Sequence, residues 1–204
     1  MAHPAPTARA ILDPAFRSRL EELFDEGWQR WERFDREVRQ HEFHPFVPSD
    51  HQVVLDALVG HHRPGLKFLE WGSALGTITI MADMLGFEAY GIELDDQLVH
   101  QAREIARSKA SGARFAAGSF LPTGYRWGRR TGDGRLGTIG QGRSGYLELG
   151  IPLDDFDVIF AYPWSGEEPI LLDLMSEYGR RDALLLMYSG NDGIATYRAG
   201  RILR

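Results

Sequence analysis

Cysteine is missing from all 204 residues of the chain. Its absence excludes a disulfide framework, thiolate-held zinc, iron–sulfur clusters and a cysteine nucleophile. Lysine is nearly missing, Lys67 and Lys109 being the only two, so that arginine carries the rest of the positive charge. Long apolar runs are lacking as well: the longest is six residues, against the roughly 20 needed to cross a bilayer. The opening MAHPAPTARAILDP has no basic segment followed by an apolar core, so no secretion signal is read there. These absences lead us to expect a soluble, cytoplasmic protein with no membrane partner. The formal net charge of −6 disfavours a global electrostatic grip on nucleic acid. What is present, 43% hydrophobic and 25% charged residues, is the composition of an ordinary globular domain of about 100–200 residues with a few appended elements.

Residues 1–15, rich in alanine and proline, read as a flexible tail that stops at Pro14. Residues 16–62 read as an N-terminal helical extension. Within it Phe16, Leu20, Leu23, Phe24, Trp28, Trp31, Phe34 and Val38 recur at spacings of three and four, the stripe of a long amphipathic helix. The stripe is expected to pack on the rest of the domain, with a homodimer contact or a substrate-side lid as the alternatives, and Gly27 marks a candidate bend. The segment HEFHPFVPSD is a proline-broken connection, after which Ser49 or Asp50 caps a second helix from His51 to about Val59.

Residues 63–204 change rhythm. LKFLEW reads as a buried strand, TITIMADML as a helix, EAYGIEL as a strand, and DDQLVHQAREIARSK as a helix capped by Asp95. ARFAAG and DFDVIFAY follow as strands, EEPILLDLMSEYG as a helix and DALLLMYS as a strand. Strands alternating with helices imply right-handed parallel βαβ units covered by helices on both faces. The fold class is therefore α/β, a doubly wound and mostly parallel sheet. Residues 121–150 form a Gly/Arg-rich insertion, expected to carry a β-hairpin around Thr131-Gly132-Asp133-Gly134 or to lack order in part.

The first strand ends in Glu70-Trp71-Gly72-Ser73-Ala74-Leu75-Gly76 and runs straight into a helix, the edge at which open α/β sheets bind ligands. A dinucleotide fingerprint GxGxxG would need glycine at Gly72, 74 and 77, where the chain has Gly72, Ala74 and Thr77. Twenty-three residues after Glu70, Glu93 stands at the tip of the second strand, where a carboxylate accepts hydrogen bonds from a ribose diol. Gly118-Ser119-Phe120 follows the third strand, and the fourth delivers Ala161-Tyr162-Pro163-Trp164 to the same edge.

Taken together these segments, from Phe46 to Ser189, resemble the class I S-adenosylmethionine-dependent methyltransferases. Glu70, Gly72 and Gly76 match the family's acidic-x-Gly-x-Gly-x-Gly turn with Ala74 in place of the middle glycine, and GIELDDQLVHQAR is similar to its second motif. Ser119 replaces the aspartate that in the family binds the adenine amino group. The tetrad at Ala161 resembles the Asn/Asp-Pro-Pro-aromatic loop of amino-group methyltransferases in its proline and final aromatic, without the leading amide or carboxylate. Phe46-Val47-Pro48-Ser49-Asp50 resembles a stretch that lies over the methionine end of the cofactor.

The resemblance implies a Rossmann-like methyltransferase fold and S-adenosyl-L-methionine as cofactor, with transfer to an unidentified acceptor, an amine or protein side chain among the candidates. It implies cofactor contacts from Pro48, Ser49, Glu70, Gly72, Ser73, Gly76, Glu93, Leu94, Ser119, Phe120 and Ala161, with Tyr162 and Trp164 as the catalytic pair. No metal is expected, since His41, His44, His51, His61 and His62 do not make an HExxH or a converging carboxylate–histidine set. The alternatives are a non-catalytic nucleoside- or partner-binding module, suggested by Ser119 and Ala161, and a nicotinamide oxidoreductase, which the glycine spacing disfavours.

Arg126, Arg129, Arg130, Arg135 and Arg143, interleaved with Tyr125 and Trp127, could hold a substrate anion, and the loop 126–143 is the one place left for a nucleic-acid contact. That loop and the Tyr162–Trp164 tip are expected to form one wall over the cofactor. After the fifth strand the chain is short for this family, so one further strand and a truncated sheet edge are expected, completed by the insertion or by a second subunit.

Overall fold

The computed structural model describes residues 13–63, 65–126, 139, 142–190 and 192–203. The tail up to residue 12, the expected hairpin around Thr131–Gly134 and the arginines Arg129, Arg130 and Arg135 lie outside the described residues.

Helix α1 (Pro14–Phe34) starts where Asp13 accepts the N–H groups of Ala15 and Phe16, with Pro14 in the first turn, a capped and pre-set start. It continues into a π-helical turn, Asp35–Arg39. Leu20, Leu23 and Phe34 of the stripe are buried, Trp31 packs on the same core, and Trp28 is left exposed. The helix runs without interruption through Gly27. A Cβ there would lie 2.6 Å from Thr77 Oγ1, so glycine serves the close approach of α1 to the helix after the first strand. Helix α2 (His51–His61) is capped by Asp50, which accepts from Gln52 and Val53, and runs past the expected Val59.

The alternating units follow as read, β1 (Lys67–Trp71), α3 (Thr77–Met84), β2 (Glu88–Glu93), α4 (Asp96–Ser108), β3 (Arg114–Ala117), β4 (Val158–Ala161), α6 (Glu168–Tyr178) and β5 (Leu184–Ser189), while a short helix α5 (Tyr146–Leu149) and a 3-10 turn (Leu153–Asp155), not expected from the sequence, stand between β3 and β4. Two strands close the chain, β6 (Gly193–Arg198) and β7 (Arg201–Ile202). The sheet order is β3-β2-β1-β4-β5-β6-β7, parallel from β3 to β5 and antiparallel across β5–β6 and β6–β7.

The expectation of a single last strand is corrected here. Ala199 and Gly200 both take positive φ and reverse the chain, so residues 193–202 supply two strands and complete a seven-stranded sheet without the insertion or a partner. The edge is nevertheless short, β7 being two residues long.

Strand parity sorts the core into two layers. Phe68, Ala89, Phe115, Phe160 and Leu186 face α1 to α4, and Leu69, Tyr90, Ala116, Ile159 and Leu185 face α5 and α6. The order reverses at β1 and β4, on either side of which β2 and β5 lie. Ligands bind at such a switch point in open α/β sheets because the loops there diverge to opposite faces and leave a crevice. No described helix is long and apolar enough to cross a membrane.

Candidate active site

A cavity of about 850 Å³ sits over the carboxyl ends of the central strands, within the range of small-molecule sites. Its floor begins at Gly72. This residue has φ +73, and a Cβ built on it meets no protein atom within 4 Å; the turn after β1 therefore offers bare backbone to the cavity.

Beside it Ala74 also holds a positive φ, 44°, and donates its N–H to Glu93 Oε2 at 2.8 Å. The other oxygen of Glu93 accepts from Asp95 N at 3.0 Å. Burial pushes the Glu93 carboxyl above the usual carboxylate range, while the N–H groups of Asp95, Ala74 and Leu94 and the nearby His44 pull it back. Each carboxylate oxygen has two acceptor sites, so a carboxylate fixed by backbone donors can still accept a diol. Asp95 works twice. Its Oδ1 caps α4 through Gln97 and Leu98, and its Oδ2 lies 3.3 Å from His44 Nε2.

Ser119 and Phe120 line the cavity after β3. Ser119 is fixed by returning chain: its N–H donates to Arg143 at 2.9 Å, and its carbonyl accepts from Gly145 at 2.8 Å. Gly118, at φ 143, is required by this pairing, because a Cβ would stand 2.4 Å from the Arg143 carbonyl oxygen. Leu94, half-exposed, closes the same end against Gly142.

At the other side Tyr162, Pro163 and Trp164 leave β4 into the cavity. The Tyr162 ring meets Tyr188 of β5 edge-on at 4.7 Å, and burial next to Tyr188 raises its pKa, which keeps the hydroxyl a donor at neutral pH. Trp164 donates its indole N–H to the Pro45 carbonyl at 3.4 Å and meets Phe43 edge-on at 5.6 Å. Glu167, buried at the start of α6, accepts the backbone N–H of Trp164 at 2.8 Å and that of Ile139 at 3.3 Å. Glu168 adds a carboxylate to the lining.

The structure thus brings Gly72, Glu93, Leu94, Ser119, Phe120, Tyr162 and Trp164 to one cavity. Pro48, Ser49, Glu70 and Ser73 line a smaller adjoining one. Gly76 and Ala161 line neither. A Cβ on Gly76 would strike the Phe115 ring at 2.5 Å, so its role is packing of α3 on the sheet, and Ala161 is buried between Trp71 and Met187 in β4. Glu70 points its carboxylate at α3, accepting the Thr79 N–H at 2.9 Å and its hydroxyl at 2.5 Å; burial raises its pKa to about 8. Of the arginine loop, Ile139 lines the cavity and Arg143 pairs with Ser119, both on the expected edge.

Of the strap Phe43–Val47, which lines the cavity, sequence reasoning anticipated Phe46 and Val47 and missed Phe43, His44 and Pro45. The strap crosses the cavity from Asp95, through His44, to Trp164, through Pro45 and Phe43. The only local signal was aromatics set between prolines; the contacts themselves join residues 119 apart.

No protein-family model matches the chain. The ribosomal protein L11 methyltransferase of Thermus thermophilus is 37% identical over 76 residues, which are 36% of this chain and 30% of that protein. The chain thus matches less than a third of the length of that curated relative. Among solved structures, an RNA methyltransferase from Salinibacter ruber in complex with S-adenosyl-L-homocysteine has TM-score 0.48 at 19% identity, covering 69% of this chain and 76% of that one. A ribosomal protein L11 methylase from Lactobacillus delbrueckii subsp. bulgaricus has TM-score 0.44 at 18% identity, covering 67% and 57%. The strand order, the glycine turn after β1 and the carboxylate ending β2 are those of a Rossmann-like α/β sheet, and over 76 residues the chain is similar to a methyltransferase.

Proposed function

We propose that the protein transfers a methyl group from S-adenosylmethionine to an acceptor that enters between the strap and the Tyr162–Trp164 tip. One observation carries the reading. The backbone of Gly72 is open to an 850 Å³ cavity that Glu93 and Ser119 also line, an arrangement that fits a nucleoside joined to a small polar tail. When bound, this cofactor supplies an electrophilic methyl group on a sulfonium, which needs a well-placed lone pair and little acid–base help.

The chain's residues divide the remaining work. Glu93 accepts the ribose hydroxyls, and Ser119 accepts from the adenine amino group in place of the family's aspartate. Leu94 and Phe120 enclose the adenine. Gly72 lets the chain of the cofactor pass close to the backbone on its way to Pro48 and Ser49. Tyr162 and Trp164 shape the acceptor side and exclude water, with Pro45 and Phe43 holding Trp164 in place.

An amine or protein side chain is the acceptor class we favour. The partial match to a methyltransferase named for a ribosomal protein supports it, as does the carboxylate of Glu168 in the lining, a partner for a cationic group. A second reading, a nucleoside-binding module without transfer, draws on Ala161, which brings no side-chain oxygen to the position where amino-group enzymes carry one. Isothermal titration with S-adenosylmethionine, S-adenosylhomocysteine and NAD tests the first reading: the two sulfur cofactors bind and NAD does not. Tritiated methyl groups appearing in acid-precipitable material of a cell extract then separate transfer from mere binding. NAD binding alone would overturn both.

A further inference from the structure

We infer that the side of the cavity at the ends of β4 and β5 is a cation subsite, in which the rings of Tyr162, Trp164 and Phe43 and the Glu168 carboxylate take an alkylammonium group of the acceptor. The inference rests on the methyltransferase reading and narrows its acceptor to an amine whose nitrogen carries positive charge once methylated.

The charges of the wall come first. Among the described residues the 850 Å³ cavity is lined by three carboxylates, Glu93, Asp95 and Glu168, and by no lysine or arginine. Two of the three are committed. Glu93 takes the N–H groups of Ala74 and Asp95, and Asp95 divides its oxygens between the cap of α4 and His44. Glu168 gives one oxygen to the Gly166 N–H at 2.9 Å, while the other has no partner among the described residues. It is half-buried, so its charge is screened less than that of a surface carboxylate. A nucleic-acid acceptor brings phosphates that lysine and arginine would meet; this wall repels them.

The rings stand with that carboxylate. A tight turn joins Trp164 to the start of α6: Glu167 donates its N–H to the Trp164 carbonyl at 3.0 Å and accepts the Trp164 N–H at 2.8 Å. Phe43, largely exposed, meets Trp164 at 76° with centroids 5.6 Å apart, and Tyr162 meets Tyr188 at 90° and 4.7 Å. Rings set at right angles form a corner, and the face of a ring attracts a cation where its edge does not. Two such corners and one uncommitted carboxylate line a single cavity, which is the equipment that recognises quaternary ammonium groups.

The chemistry of transfer asks for charge of this sign here. As the nitrogen lone pair bonds to the methyl carbon, the carbon–sulfur bond breaks and its electron pair stays on sulfur. Positive charge leaves the sulfur and arrives on the nitrogen. A primary or secondary amine then gives up a proton to water; a tertiary amine keeps the charge. Rings and a carboxylate on the nitrogen side stabilise that charge as it develops, the kind of interaction that lowers a barrier rather than only tightening binding.

Choline and 3,3-dimethylbutan-1-ol test the subsite, since they differ only in nitrogen for carbon and hence in charge. Titrated into the full chain saturated with S-adenosylhomocysteine, choline should bind about ten-fold more tightly than the alcohol. Its N-methyl protons should move upfield and show nuclear Overhauser contacts with the rings of Tyr162 and Trp164. Glu168→Gln should cut the preference for choline to about two- to three-fold, and Trp164→Leu should remove most of the upfield shift; the wild-type comparison decides the matter even if a variant folds poorly. Equal affinity for the two probes, no binding of choline, or choline that displaces S-adenosylhomocysteine would overturn the subsite. Uridine, planar and neutral, binding in place of choline would overturn it in favour of a nucleobase acceptor. A protein that does not bind S-adenosylhomocysteine would instead overturn the methyltransferase reading, and this inference with it.

Discussion

Glu93 accepts the backbone N–H of Ala74 at 2.8 Å, so the carboxylate at the tip of β2 holds a non-glycine residue in the left-handed region within the turn after β1. Such a conformation costs an L-residue about 1–2 kcal/mol, and the hydrogen bond to a buried carboxylate offsets it. Glu93 is thus a structural residue of the turn as well as the proposed ribose acceptor.

Replacing Glu93 should therefore have two effects. Glu93→Ala leaves the N–H groups of Ala74 and Asp95 unpaired and should lower stability by about 1–3 kcal/mol, with cofactor affinity falling by a similar ~1–3 kcal/mol. Glu93→Gln must set an NH₂ group against one of the two backbone donors, so it should be no rescue. Thermal melts and titration with S-adenosylhomocysteine check both; a folded Glu93→Ala that binds normally contradicts the assignment.

Gly72 and Gly76 should separate binding from stability. Both have positive φ near 72°, so alanine is strained at either place by about 1 kcal/mol. At Gly72 the new methyl meets no protein atom and should cost little more than that strain while blocking the cofactor. At Gly76 it meets the Phe115 ring at 2.5 Å and Ala102 at 3.0 Å, and overpacking of this kind adds about 1–3 kcal/mol. The expected pattern is a stable Gly72→Ala with weak binding and an unstable Gly76→Ala. Denaturant midpoints check the stability order and paired titrations the binding; a Gly72→Ala that binds S-adenosylhomocysteine as wild type does would show that the turn is not the cradle.

Glu70 should make the protein less stable as pH rises. Its folded pKa of about 8 lies above the ordinary value of 4.5 because burial penalises the charged form. The unfolded state therefore gives up its proton first, and the stabilisation is complete below the unfolded value and lost as pH rises through the folded one. From pH 5 to pH 9 this group should remove on the order of a few kcal/mol. Glu70→Gln, which keeps an acceptor for Thr79 and cannot ionise, should flatten the profile of melting temperature against pH. An equally steep profile in the variant would assign the pH dependence to other groups.

Trp164→Ala should free the strap. The variant loses the bond to the Pro45 carbonyl and the contact with Phe43, together worth about 1 kcal/mol. Amide hydrogen exchange over residues 43–47 should rise, and S-adenosylhomocysteine should dissociate faster, with the sheet amides unaffected. Unchanged exchange in the strap would mean that its other contacts, His44 with Asp95, Arg39 on the His44 carbonyl and Phe34 against His44 and Phe46, hold it without Trp164.

Much of this was legible locally. Alternation and helical spacing placed the strands up to β5 and the helices other than α5, because a strand's parity and a helix's stripe record which face is buried. Asp13 and Asp50 mark helix starts for the same local reason, as the cap accepts N–H groups two and three residues on. The ends were harder. A sheet with two strands rather than one after β5 depends on a reversal at Ala199-Gly200, and alanine gives no warning of a positive φ.

What the sequence alone determined is the α/β order, the glycine turn and the acidic residue ending β2, since each is a matter of neighbours within a few residues. What only the tertiary structure decided is which side chains meet. Gly76 turned out to face Phe115 rather than the cavity, Glu70 to face Thr79, and the strap around His44 to reach both Asp95 and Trp164. Glu168 belongs with these. Its position marks only the first turn of a helix, and only the fold brings it to the cavity that Phe43, Tyr162 and Trp164 line. Contacts between residues far apart in the chain are set by how the layers pack, and packing is a property of the whole sheet and its helices that no local pattern records.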